Sequence, residues 1–410
     1  MFVVSQHRIQ RRGARARSAG SLPACTAGIL PASQRRGAAA VMVAVSLVAL
    51  LSVASLTVDV GSMYRARNEL QRSADSAAMA GAWRLLDAQQ LQGTPNMTQE
   101  IAAARAAAVQ YAALNHVMGA APVVDPQADV TVGYIYDPMN PAEPISFGNP
   151  NQFNAVRVLV HRDNIRNGPL NLMFARIFGQ QTANVHAEAT AVFKNGVVGY
   201  HVTPQTGNAY LLPFAVKVSF WNDLLAGTFT TGDHYRYDTQ NGQVTIGLDS
   251  INEMNIYPGN GGNGQLPPGN FGTVNIGPSS NSTDHLISQI LNGVTAEDFS
   301  YYPNGELVLG PNGNVPLTGD TGLSAAVKDA LTAIVGQPRA IPLFSTVSGP
   351  GNNATFTIVG FAGIRIMHVE LTGNPKEVIV QPSFVVDNSA ISEPGSGSSS
   401  FIYEPVRLIR

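Results

Sequence analysis

The 410 residues suffice for two ordinary domains and an anchor, and only 13% of them are charged against a usual share of roughly 25%, while Gly (40) and Pro (26) are frequent. A net charge of −2 conceals an asymmetry: residues 1–36 carry seven Arg and no acidic residue, leaving 18 basic against 27 acidic residues beyond them. A basic tail with no basic surface behind it argues against nucleic acid as a partner, and a single cysteine, Cys25, excludes an internal disulfide and a cysteine-based zinc site.

The first element is a run of 22 uncharged, mostly apolar residues, Gly37 to Val58, bounded by Arg36 and Asp59. At about 1.5 Å per residue it crosses the roughly 30 Å hydrocarbon layer, which predicts a transmembrane helix in contact with the lipid bilayer. A cleavable signal peptide has the same order of regions, but its apolar part is usually about 7–15 residues, and here the helical pattern runs on past Asp59. The charge of the tail and the size of the C-terminal portion predict a single-pass inner-membrane protein, its N-terminus cytoplasmic and its ectodomain periplasmic or extracellular.

Beyond Asp59 the helix is expected to continue to about Leu86, with small residues on one side: Ala74, Ala77, Ala78, Gly81 and Ala82 would let another helix approach closely. That side either packs on the protein's own ectodomain or supports self-association. A second, Ala-rich helix comes next, with Thr98 as expected N-cap, Glu100 in its first turn and Gly119 past its end. Alternating runs at Val130–Tyr136, Val156–Val160 and Val185–Phe193 read as strands, with a short apolar helix or loop ending at Gly179 between the last two.

From residue 200 the texture becomes richer in Gly, Asn and Pro, with strand candidates at 244–248, 271–276, 341–347, 355–371 and 377–386, and helices at 284–292 and 323–335. The fold class is therefore α+β, organised as an Arg-rich tail (1–36), a transmembrane helix (37–58), a helical and α+β region (59–194), a β-rich ectodomain (200–390) and a flexible C-terminal segment (391–410).

No catalytic, cofactor-binding or metal site is expected. The pairs His186/Glu188 and His368/Glu370 each share a strand face, but a zinc deaminase would also need the Pro-Cys-x-x-Cys partner that this chain lacks. The glycine run at 259–264 has no following Lys-Ser/Thr, so it reads as a turn rather than a phosphate loop.

Residues 35–82 resemble the N-terminal region of the TadG-like proteins of Tad/Flp (tight adherence) pilus assembly. The features are an Arg-Gly start, a small-residue membrane helix, Asp59 and Gly61 just outside it, then Leu70-Gln71 followed by Ala74-Asp75 and Ala77-Ala78, with Gly81 beyond. The stretch 155–193 is also similar to that family. Related pilin-like members carry a Glu five positions after a processed Gly, whereas Met42 stands there after Gly37. The resemblance thus implies a permanently anchored, non-enzymatic accessory protein, with other pilus-assembly or envelope proteins as partners. Two other classes compete: a surface or secreted adhesive protein with a β-rich binding domain, and a membrane-anchored hydrolase.

Overall fold

The computed structural model describes residues 36–86, 91, 96–140, 142–228, 232–258, 266, 272–278, 282–320, 325–373 and 375–409. Most of the Arg-rich tail, Cys25 and the glycine run at 259–264 lie outside the described residues. The architecture is α+β.

Helix α1 (Arg36–Arg84) has no proline, and its commonest residue is Ala, the strongest helix former. It holds a stretch apolar enough to cross a membrane, with mean hydropathy 2.5 over eighteen residues and no cover from the protein. From Ala66 onward its character changes: Leu70, Ala74, Ala77, Ala78, Ala82 and Leu85 are fully buried, at the i, i+4, i+7 spacing of a single helix face.

Helix α2 (Met97–Leu114) meets that face with Ala104, Ala108 and Ala112, one residue per turn. The two run antiparallel, since Ser73 Oγ donates to the Ala112 carbonyl at 3.1 Å while Gly81 faces Ala104 and Ala108. Helix α2 starts two residues before the expected Thr98 cap, because the Asn96 side chain accepts from the Gln99 N–H. It also stops well before Gly119. Asn115 turns to extended backbone and its amide donates to Ser76 Oγ at 2.6 Å, so a side chain of α1 competes for the last turn.

Strands β1 (Val130–Gly133), β2 (Ala155–Arg162) and β3 (Val185–Val192) form an antiparallel sheet in that order, with Val130 opposite Val158 and Val160 opposite Ala187. Their Val and Ala side chains complete one core with the two helices. Beyond β1 the expected strand gives way to a single bridge between Tyr134 and Ser146.

The second half centres on Thr355–Glu370, a sixteen-residue strand flanked by Pro338–Ser348 and Glu377–Pro382 in a seven-stranded sheet. One core gathers round Trp221 and a second round Tyr200, Phe299 and Phe361. The helix Thr283–Asn292 ends at Gly293 as expected, but the expected strand at 271–276 is reduced, among its described residues, to bridges at Thr273 and Val274. An amphipathic helix absent from the expected elements, Val218–Leu225, buries Trp221 and Leu224.

The segment 391–410 is expected to be flexible, but its described residues, 391–409, are built into the fold. Arg407–Ile409 pairs antiparallel with β3, placing Leu408 opposite Ala191, and Tyr403 and Val406 enter the α1/α2 core. Contacts gather residues 57–410 into one compact unit.

Candidate functional site

Asp59 is the first charged residue after the apolar run, yet it is only 3% exposed. A buried carboxylate needs donors, and it finds them in a loop more than a hundred residues away. Its Oδ1 accepts from the Met173 N–H at 2.8 Å, and its Oδ2 from the Phe174 and Ala175 N–H groups at 2.9 and 2.6 Å. These donors lead into the 3-10 turn Ala175–Phe178, so Asp59 acts as an N-cap supplied by a distant helix. The turn closes at Gly179, whose φ of +87° is left-handed backbone that glycine adopts without a side-chain clash. The Arg176 Nε donates to the Leu172 carbonyl at 2.8 Å across the same loop. Burial by itself would raise the Asp59 pKa, but the three N–H donors and the nearby Arg176 guanidinium hold it below the ordinary carboxylate value.

A second tie of this kind lies farther along α1. Glu69 accepts from Arg65 Nε at 2.8 Å and from the Met118 N–H at 2.6 Å, fixing the turn after α2. The Arg65 bond and the Met118 N–H keep its pKa low against the cost of burial. The Arg65–Glu69 spacing of four was visible, but nothing in it pointed to a turn at Met118.

The remaining predicted residues separate into three groups. Leu70, Ala74, Ala77, Ala78 and Gly81 are buried against α2 and β2, so the face expected to allow self-association is occupied within the chain. A Cβ at Gly81 would come within 2.9 Å of Val156 Cγ1 and 3.2 Å of the Ala104 carbonyl, which is why no side chain fits there. Gly61 is exposed, with no atom within 4 Å of where a Cβ would stand. Gln71 and Asp75 are half-buried on a polar groove of about 540 Å³ that also includes Arg157 and Glu188. There the Gln71 amide donates to Asp75 Oδ1 at 2.8 Å and to the Glu188 carbonyl at 3.1 Å, while Arg157 pairs with Glu188 at 3.3 Å. These groups satisfy one another.

His186 and Glu188 do share the exposed face of β3, but Glu188 is engaged by Arg157. His368 stacks on Tyr235 at 5.4 Å, and Glu370 accepts from Lys328 Nζ at 2.9 Å and from Thr372. Among the described residues no group of three or more His, Cys, Asp or Glu side chains is arranged to hold a metal ion.

Residues 37–84 match a family model described as Flp pilus-assembly TadE/G-like, and residues 80–191 match one described as Tad-like Flp pilus-assembly. No curated protein and no solved structure matches the chain.

Proposed function

We propose, since residues 37–191 match two family models of Flp pilus assembly, that the chain works as a permanently anchored, non-enzymatic component of that machinery in the inner membrane. Its N-terminus lies in the cytoplasm and its ectodomain on the far side, where it meets other pilus-assembly or envelope proteins. The observation that carries this reading is that one helix holds both the membrane-length apolar run and, from Ala66, the side chains on which the matched core is built. Orientation is argued from the seven Arg ahead of the run. A structural rather than catalytic role is supported by Gln71, Asp75, Arg157 and Glu188 in the groove, which are paired with one another instead of being directed at a substrate.

The test is genetic and biochemical together. Deleting the gene is expected to abolish surface pili, and the full chain, recovered in membranes after carbonate extraction, is expected to restore them. A chain in which residues 37–58 are replaced by a cleavable signal peptide should fail to do so. Normal piliation in the deletion strain would remove the assembly role, and full rescue by the unanchored chain would remove the requirement for an anchor.

A further inference from the structure

The Asp59-bound loop has a property that its capping role does not require. Met173, Ile177 and Phe178 are 71%, 79% and 73% exposed, and Phe174 beside them is 36% exposed. Four large exposed apolar side chains on six consecutive residues make an apolar tip, in contrast to the singly scattered exposed residues found on any protein surface.

We propose that the loop Met173–Phe178 is a second membrane contact, inserting its apolar side chains into the interface of the same bilayer that holds residues 37–58. This inference rests on the anchored reading given above. Its first support is position. Asp59 follows the apolar run directly in the chain, and three hydrogen bonds from Met173, Phe174 and Ala175 tie the loop to that residue. Wherever the run leaves the hydrocarbon, the loop is held beside its end.

The second support is backbone satisfaction, the condition for placing irregular backbone near lipid. Asp59 takes the N–H groups of Met173, Phe174 and Ala175. Ile177 donates to the Phe174 carbonyl, Gly179 to Arg176 and Gln180 to Ala175. The third is charge. Between Leu172 and Ala183 the sole charged residue is Arg176, a cation suited to anionic headgroups, while the Asp59 carboxylate is shielded inside the loop. On the first turns of α1 past Asp59, the exposed Tyr64 adds an aromatic side chain of the type enriched at membrane interfaces.

The experiment uses the full chain with Cys25→Ser, reconstituted alone into phosphatidylethanolamine/phosphatidylglycerol liposomes and carrying one environment-sensitive fluorophore at a new cysteine. Ile177→Cys and Met173→Cys report on the loop, Leu47→Cys on the anchor, and Ile246→Cys, 88% exposed in the second half, on water. Labels at 173 and 177 are expected to be blue-shifted and quenched several-fold more than the label at 246 by lipids spin-labelled near the headgroup. The label at 47 should respond most to a spin label deep in the acyl chains. Loop labels that behave like 246, while 47 remains quenched, would overturn the loop contact and leave the anchor standing. Loss of quenching at 47 as well would overturn the anchored reading with it. Blue-shifted loop labels that no lipid quenches would mean that protein covers the loop, most simply a second copy, and would also overturn the proposal.

Discussion

With three backbone N–H groups directed at one carboxylate, Asp59 contributes order only while it is ionised. Its folded pKa lies below the ordinary value, so the contribution is complete above the unfolded pKa and is lost as pH falls through the folded one. Asp59→Asn keeps the shape and removes the charge. The unfolding midpoint of the wild type is therefore expected to exceed that of Asp59→Asn near neutral pH, with the gap narrowing at about pH 3, below the unfolded carboxylate value. A gap that stays constant with pH would show that the charge contributes nothing.

Gly81 tests the neighbouring packing. Replacing a helical glycine by Leu removes a propensity cost of about 0.8–1.0 kcal/mol. The new side chain, however, would be driven into Val156 and Ala104, and overpacking costs about 1–3 kcal/mol. Gly81→Leu is expected to lower the thermal midpoint, whereas Gly61→Ala, at an open position of the same helix, removes the propensity cost without a clash and should raise it slightly. A stabilised Gly81→Leu would contradict the close approach of α1, α2 and β2.

At the scale of elements, how much was legible depended on how local each signal was. The apolar run, the small-residue face of α1, the alternation in β2 and β3 and the glycine stop after Asn292 all arise from spacing within one segment, and each is present. The α2 boundaries were misplaced because Asn96 and Asn115, not Thr98 and Gly119, make the terminal hydrogen bonds. Asp59 was recognisable as part of a motif, but its partners at 173–175 were not, since no local pattern pairs a helix residue with a loop so far along the chain. The same limit concealed the last strand. Arg407–Ile409 lies in the segment expected to be flexible, and only the fold gives it β3 as a partner. Removing residues 405–410 would uncover that edge of β3 and withdraw Val406 from the core. The truncated protein is expected to melt at a lower temperature and to scatter more light on standing. An unchanged midpoint would show that the pairing adds no stability.

In the molecule as a whole, the family match ends at residue 191, close to where texture alone suggested a boundary. The second half carries its own cores, yet the chain does not divide cleanly there. The sheet that the matched region begins is finished by residues at the C-terminal end of the second half, so residues 57–410 cohere as one unit. Composition could not reveal this, because a short strand of Arg, Leu and Ile looks alike whether it pairs near or far. The order of manufacture is dictated by that topology. At about 5–20 residues per second, the ribosome needs roughly ten to forty seconds after completing β3 before Arg407–Ile409 exists to join it. During that interval the sheet stays open on one side, and a product released early never closes it. Full-length and interrupted chains thus differ in a feature that quality-control proteases can recognise.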